Sequence, residues 1–140
     1  MIPMFQVLIV EDSRLFRYVF KEALRTRFPS FDIFEAANGE EALRIIKNTP
    51  PDLIFMDIRL PEGNGLDLIR KIKVRHPQIV SVVLTGYDTE YREVALKCAD
   101  HFLSKRSTSE DVFALIENIL LRNKPGQTDP ASLGRRRKVG

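Results

Sequence analysis

Residues 53–57 read Leu53-Ile-Phe-Met-Asp57, four large apolar side chains followed by a carboxylate. A strand that is apolar at consecutive positions is covered on both faces, which is typical of a parallel sheet between two layers of helices. Two further runs, Val7-Leu-Ile-Val10 and Val80-Ser-Val-Val-Leu84, have the same character. We therefore expect these three runs to be the central strands of a parallel sheet.

Strand and helix patterns alternate along the rest of the chain. Each strand is followed by an amphipathic stretch that begins at residues typical of helix starts. This alternation predicts an α/β fold, a doubly wound five-stranded parallel sheet in a flavodoxin-like three-layer sandwich. The predicted strands are Phe5–Val10, Phe31–Ala36, Leu53–Asp57, Ile79–Thr85 and Asp100–Ser104, and the helix starts are Ser13, Asn38-Gly39, Asn64-Gly65, Asp88-Thr89 and Thr108-Ser109.

Two local patterns refine this outline. Leu15, Val19, Phe20 and Leu24 recur at helical spacing after Ser13, which predicts an amphipathic first helix with Ser13 as its cap. The stretch Pro61-Glu-Gly-Asn-Gly65 predicts a turn after the third strand.

The positive charge of the chain is concentrated at its end. The net charge is +3, yet residues 1–122 hold 17 of the 22 Lys and Arg and 18 of the 19 Asp and Glu, a net charge of −1. Residues 123–140 have hardly any apolar content to pack. We predict one domain over residues 1–122 and a flexible basic tail over residues 123–140, with Arg135-Arg-Arg-Lys138 as a solvated run.

The sequence contains no sign of a membrane partner. The longest near-apolar run, Ile79–Leu84, falls far short of the ~20 residues that cross a bilayer, and the first residues lack the pattern of a signal peptide. The single cysteine, Cys98, can form no internal disulfide and fits a small apolar packing role. We expect a cytoplasmic protein.

Chemically capable side chains stand at the carboxyl ends of the predicted strands. Glu11 and Asp12 follow the first strand, Asp57 ends the third, Thr85 ends the fourth and Lys105 follows the fifth. In an open α/β sheet, sites form outside these ends, at the point where the strand order reverses. A strand order of 2-1-3-4-5 would bring all five side chains to one cleft.

The three carboxylates indicate what this cleft binds. They would repel one another and raise each other's pKa values unless a cation shared the site. Mg²⁺ prefers oxygen ligands and commonly binds one or two carboxylates together with phosphate oxygens. The pattern therefore favours a Mg²⁺ site suited to phosphoryl chemistry on a carboxylate.

The chain resembles the receiver domains of response regulators of two-component signalling, over about residues 5–122. The order and spacing of four motifs carry this resemblance. They are Val7-Leu-Ile-Val-Glu-Asp12, Asp52-Leu-Ile-Phe-Met-Asp-Ile-Arg-Leu-Pro61 followed by Gly63 and Gly65, Val83-Leu-Thr-Gly86, and Ala99-Asp-His-Phe-Leu-Ser-Lys105.

The resemblance implies a metal-assisted phosphoacceptor site. Asp57 matches the aspartate that accepts the phosphoryl group. Glu11 and Asp12 match the acidic pair that holds Mg²⁺, with Asp12 as the direct ligand, and Asp57 completes the carboxylates around the ion. The backbone carbonyl of Arg59 matches a further Mg²⁺ ligand.

The resemblance also implies a switch. Lys105 matches the lysine that pairs with Asp57 or the phosphoryl oxygens, and Thr85 matches the hydroxyl that bonds the phosphoryl group after activation. Phe102 matches the aromatic residue that turns inward with that hydroxyl. At Arg106 the chain departs from the Lys-Pro pair of most of the family, and Ser104, Ser107 and Thr108 offer this loop local hydrogen bonds instead.

The function implied is a phosphorylation-dependent switch in a phosphorelay. A sensor histidine kinase or phosphotransfer protein would supply the phosphoryl group. The face of the fourth and fifth helices would contact a downstream effector protein or a homodimer partner. Such a chain catalyses its own phosphotransfer and autodephosphorylation and is otherwise not an enzyme.

Three other functions compete with this one. A haloacid-dehalogenase-like phosphatase requires a second Asp two residues after the nucleophile, where this chain has Arg59. A nonphosphorylatable receiver-like module would be expected to lack some of the site residues, and this chain has all of them. The chain could also be the receiver fragment of a longer DNA-binding transcriptional regulator, although residues 123–140 contain no helix-turn-helix and so no nucleic-acid-binding element.

Overall fold

The computed structural model describes residues 4–86 and 88–122. The predicted basic tail, residues 123–140, lies outside the described residues and stays a prediction. The strands are β1 (Gln6–Val10), β2 (Asp32–Ala36), β3 (Leu53–Asp57), β4 (Arg59–Leu60), β5 (Gly63–Asn64), β6 (Val80–Thr85) and β7 (His101–Ser104). The helices are α1 (Arg14–Arg27), α2 (Gly39–Asn48), α3 (Gly65–Arg75), α4 (Asp88–Cys98) and α5 (Ser109–Arg122).

Five strands form one parallel sheet in the order β2-β1-β3-β6-β7. This is the predicted order 2-1-3-4-5, since β4 and β5 form a separate antiparallel pair within the predicted turn at 61–65 and its flank. The three most apolar strands, β1, β3 and β6, are the inner strands as expected. The doubly wound fold is therefore confirmed.

The two faces of the sheet have different coverings. On one face, Leu8, Ile54 and Val83 belong to a buried cluster that includes side chains of α2, α3 and α4. On the other, the ring of Phe55 meets the ring of Phe20 from α1, with centroids 4.9 Å apart. Because successive residues of a strand point to opposite faces, this explains why the central strands are apolar throughout.

The chain from Thr108 forms a second compact unit, whose described part is α5. Its buried side chains, Val112, Ile116 and Ile119, recur at helical spacing. No helix within residues 4–86 and 88–122 is long and apolar enough to cross a membrane.

The helix starts are those predicted. At α1, α2, α3 and α5, a side-chain oxygen of the residue before the helix accepts a backbone N–H of the first turn, which satisfies a donor that the helix itself leaves unpaired. Helix α4 begins at Asp88, also as predicted. The capping pairs are Ser13 with Phe16 (3.2 Å), Asn38 with Glu41 (2.9 Å), Asn64 with Leu66 (2.7 Å) and Thr108 with Asp111 (3.1 Å).

The apolar residues of α1 are covered unequally. Leu24 is buried and Phe20 is partly buried, but Leu15 is 74% and Val19 57% exposed. The covered stripe runs through Phe16, Phe20 and Leu24, four residues apart. The spacing of Leu15 and Val19 fits a neighbouring stripe that faces away from the sheet.

Gly65 marks a close approach between the start of α3 and the end of β3. Its N–H donates to the carbonyl of Ile58 at 2.7 Å. A Cβ atom on Gly65 would overlap the backbone oxygen of Asp57. Glycine is required here because the helix start lies directly against the backbone of the predicted phosphoacceptor.

We expect Gly65→Ala to lower the free energy of unfolding by about 1–3 kcal/mol, as overpacking does in well-packed interiors. Gly63→Ala is the matched control, since a Cβ there would meet no atom within 4 Å. Urea denaturation of both variants provides the comparison. Equal stability of the two variants would contradict the close approach.

Candidate functional site

The site lies at the carboxyl ends of the parallel strands, where the strand order reverses between β1 and β3. Glu11 directly follows β1, Asp57 ends β3 and Thr85 ends β6. All three are buried, while Asp12 is exposed at the mouth of the cleft. The topology thus brings these sequence-predicted residues to one edge of the sheet.

Three carboxylates form a potential cation site. One ligand oxygen from each of Glu11, Asp12 and Asp57 lies within 4.8 Å of the others. Such a set of carboxylate oxygens suits a hard divalent ion such as Mg²⁺. The cluster combines two buried carboxylates with one that solvent reaches, which leaves an open side for an incoming ligand.

Lys105 brings a positive charge into this cluster. Its Nζ lies 2.8 and 2.9 Å from the two carboxylate oxygens of Glu11, and 3.2 Å from Oδ2 of Asp57. The pairing with Asp57 was predicted, whereas the closer pairing with Glu11 was not. The backbone N–H of Lys105 donates to the carbonyl of Thr85 at 2.8 Å, which ties the loop after β7 to the end of β6.

The electrostatics of Glu11 and Lys105 follow from this burial. Burial raises the pKa of the Glu11 carboxyl from 4.5 to about 7, a hydrogen bond with Asp57 adds to the rise, and Lys105 opposes it. Burial alone would lower the pKa of Lys105, but its hydrogen bond to Glu11 and the charge of Asp57 raise that pKa above 10.5. Lys105 is therefore a stable cation beside a carboxylate that titrates near neutrality.

The backbone of the acidic turn is held from two sides. The backbone N–H of Glu11 donates to the carbonyl of Ala36 at 3.0 Å, and Nη1 of Arg17 donates to the carbonyl of Glu11 at 2.6 Å. Arg17 also pairs with Glu35 of β2 at 2.9 Å, and Lys21 contacts the other Glu35 oxygen at 2.8 Å. Burial would raise the pKa of Glu35, but these two cations lower it.

Sequence reasoning missed this set of contacts. Arg17 and Lys21 are four residues apart and so share one face of α1, a signal that was available. Their common acceptor, Glu35, could not be identified from spacing alone, since it lies on another strand. These contacts hold the turn that contains Glu11 and Asp12 against the neighbouring strand, β2.

The loop after β3 is ordered around Asp57. The N–H of Arg59 donates to Oδ1 of Asp57 at 3.2 Å, and Arg59 pairs with Asn64 in the β4–β5 ladder. Oε1 of Glu62 accepts the N–H of Gly39 at 3.1 Å, which ties this loop to the start of α2. The predicted metal ligand in this loop, the carbonyl of Arg59, stays a prediction.

The predicted switch residues lie on neighbouring strands. Phe102 on β7 is partly buried and packs against the core cluster, next in register to Val83 of β6. In the following loop, the N–H of Arg106 donates to Oγ of Ser104 at 3.1 Å, a bond that a proline in this position could not make. The roles of Thr85 and Phe102 in switching remain predictions.

The structure is a doubly wound parallel sheet that carries three carboxylates and a lysine where the strand order reverses. These features define the class of protein as an α/β fold with an acidic site at the carboxyl ends of its strands. Comparison with known proteins gives the family. The family model for the response regulator receiver domain matches residues 7–117. The chain belongs to the family of response regulator receiver domains.

Individual relatives agree with this assignment. A cyclic di-GMP phosphodiesterase of Thermotoga maritima is 36% identical over 71% of this chain and 26% of its own length. The transcriptional regulatory protein YdfI of Bacillus subtilis is 34% identical over 84% of this chain and 58% of its own length. The chain thus spans about a quarter to three fifths of the length of these curated relatives.

A solved structure matches in fold. The response regulator TrrA of Thermotoga maritima, crystallised in complex with Mg²⁺ and BeF, superposes with a TM-score of 0.77 at 28% identity. The match covers 84% of this chain and 100% of that one.

The raised pKa of Glu11 predicts how stability depends on pH in the metal-free protein. From about pH 4.5 to 7 the folded chain holds more protons at Glu11 than the unfolded chain, so the stability contributed by Glu11 falls as the pH rises. Glu11→Gln removes this titration. Relative to that variant, the wild type should be more stable at about pH 5 than at about pH 8.

The measurement is urea denaturation of both proteins in a chelator at each pH. Glu35→Gln is the control, because the pKa of Glu35 is lowered and its titration lies below this pH range. A difference between the wild type and Glu11→Gln that is independent of pH would show that Glu11 does not titrate near neutrality.

Proposed function

We propose that this receiver is a phosphorylation-dependent switch that accepts a phosphoryl group on Asp57. The observation that carries the proposal is the position of the Asp57 carboxylate, which is buried at the end of β3, 3.2 Å from the Lys105 ammonium and beside the carboxylates of Glu11 and Asp12. Phosphoryl transfer depends mainly on positioning and on charge stabilisation, and this arrangement supplies both.

The donor set supports a role for Mg²⁺. Asp12, Asp57 and Glu11 would hold the ion with the carbonyl of Arg59, and the complex of the relative TrrA with Mg²⁺ and BeF supports this assignment. Bound Mg²⁺ would neutralise charge on the transferring phosphoryl group. The exposed position of Asp12 leaves access to the cluster from solvent.

The proposed transfer step exchanges a P–N bond for a P–O bond. A carboxylate oxygen of Asp57 attacks the phosphorus of a phosphohistidine, the new P–O bond forms, and the P–N bond to the imidazole breaks. The donor histidine leaves as neutral imidazole after taking a proton from water. Lys105, 3.2 Å from Oδ2 of Asp57, stabilises the negative charge of the phosphoryl oxygens.

The bound phosphoryl group would then shift the protein surface from one conformation to another. The hydroxyl of Thr85 and the ammonium of Lys105 can bond the new oxygens only in particular loop arrangements, and a ligand shifts a two-state surface by such differential contacts. Phe102, partly buried next to β6, would turn inward with Thr85. We propose that the face of α4 and α5 carries the signal to an effector protein or a second copy.

The phosphodonor would be a sensor histidine kinase or a phosphotransfer protein. Helix α1 supports this with an exposed apolar stripe of Leu15, Tyr18 and Val19, which share one helical face. The stripe begins beside Phe16, whose ring centroid lies 4.8 Å from Nζ of Lys105. A protein that brings phosphohistidine to Asp57 could rest on this stripe.

The cellular location of this activity is also a proposal. The free Cys98 fits the reducing conditions of the cytoplasm. The chain would catalyse its own phosphorylation and autodephosphorylation and turn over no separate substrate. Membership in a longer DNA-binding regulator is the alternative, favoured by the larger size of the relative YdfI, a transcriptional regulatory protein.

Acetyl phosphate with Mg²⁺ should add one acid-labile phosphoryl group to the wild type, since a small donor requires only the site. Asp57→Asn should abolish the labelling, because an amide is a poor nucleophile, and Asp12→Ala should reduce it by removing a metal ligand. Intact-protein mass spectrometry gives the count. Full labelling of Asp57→Asn would show that Asp57 is not the acceptor.

The exposed stripe of α1 gives a separate prediction. Leu15→Asp should slow transfer from a phosphorylated histidine phosphotransfer domain at least about fivefold, as loss of a central interface side chain does. Val74→Asp on α3 is the control, since Val74 is 83% exposed. Labelling by acetyl phosphate should stay unchanged in both variants. If transfer slows equally in both, or in neither, the donor does not dock on this stripe.

A further inference from the structure

The ring of Phe16 is part of the surroundings of Lys105. The Nζ atom of Lys105 lies 4.8 Å from the Phe16 centroid, within the range of a cation–π interaction. Phe16 stacks on Phe20 with centroids 5.6 Å apart and 16° between the ring planes. Phe20 in turn meets Phe55 of β3 edge-on, at 4.9 Å and 76°. Three rings therefore connect the lysine to the strand that carries Asp57.

The ring has a different effect on the ammonium from that of the carboxylates. Glu11 and Asp57 accept its hydrogen bonds, while an aromatic face attracts a cation without using a donor. The side chain of Lys105 is 23% exposed, so it is only partly covered. Phe16 can therefore restrain the ammonium without competing for its three N–H groups, which Glu11 and Asp57 accept.

This restraint matters when a phosphoryl group arrives. In the unphosphorylated chain the ammonium is closer to Glu11 than to Asp57, and it has to give up bonds to Glu11 before it can bond phosphoryl oxygens. A lysine has a long flexible stem and can swing into solvent during that exchange. A ring fixed by Phe20 and Phe55 would keep the ammonium within reach.

We propose that Phe16 is a positioning residue for phosphoryl transfer, because its ring holds the Lys105 ammonium beside Asp57. The inference rests on the proposed function, since it assigns Phe16 a part in that same reaction. Two substitutions separate this role from simple packing. Phe16→Leu retains an apolar side chain but removes the aromatic face, and Phe16→Tyr retains the face.

The kinetic experiment measures phosphorylation by acetyl phosphate and Mg²⁺, which removes any contribution from a docking protein. Phe16→Leu should slow the reaction roughly two- to tenfold, as expected for loss of a partly desolvated cation–π contact, and Phe16→Tyr should react at nearly the wild-type rate. In a Lys105→Ala background, Phe16→Leu should cause no further slowing, because the ring acts through the lysine.

A spectroscopic experiment tests the contact without phosphorylation. The ring current of Phe16 should shift the NMR signals of the Lys105 ε-methylene group upfield, and Phe16→Leu should remove this shift while Phe16→Tyr keeps it. If acetyl phosphate fails to label the wild type, the proposed function fails although the NMR shift persists.

Three outcomes would overturn the positioning role itself. The first is the absence of the NMR shift in the wild type. The second is equal slowing by Phe16→Leu and Phe16→Tyr. The third is slowing by Phe16→Leu that is just as large when Lys105 is absent.

Discussion

The site depends on one electrostatic constraint, the burial of two neighbouring carboxylates at the end of an apolar sheet. Glu11 and Asp57 each have little solvent to stabilise their charge, and their mutual repulsion adds to that cost. Lys105 offsets it by contacting both. The raised pKa of Glu11 shows that this compensation is incomplete without a further cation. A divalent cation is therefore a ligand for which the carboxylate cluster is electrostatically prepared.

The backbone around the two buried carboxylates is held in place by contacts of its own. Arg17 holds the carbonyl of Glu11, and Gly65 allows α3 to begin against the backbone of Asp57. Every buried side-chain nitrogen or oxygen within the described part of the chain has a hydrogen-bond partner. Phosphoryl transfer benefits from such preorganisation because the charged groups do not have to be gathered at the moment of reaction.

Features that depend on local pattern could be predicted from the sequence, and those that depend on distant partners could not. The continuous apolar run at Leu53–Met56 identified a central strand, and Asn38 and Asn64 marked the helix starts that the structure shows. The preference of Lys105 for Glu11 joins residues 94 positions apart. No spacing rule decides which of two adjacent carboxylates a lysine approaches more closely. Which apolar stripe of α1 is covered could not be predicted for a related reason, since helical periodicity allows two neighbouring stripes and only the packing of Phe16 and Phe20 selects between them.

These contacts also indicate which parts of the site can move. Asp57 lies on an inner strand with α3 against its backbone, so a new group on its carboxylate cannot be accommodated by shifting β3. Thr85 ends β6 beside Gly86, where an added Cβ would meet no atom within 4 Å. The carbonyl of Thr85 accepts the N–H of Lys105, so displacement of one of these residues affects the other. We therefore expect structural change on phosphorylation to concentrate in the loops after β6 and β7, while the turn held by Arg17 and the start of α3 stay in place.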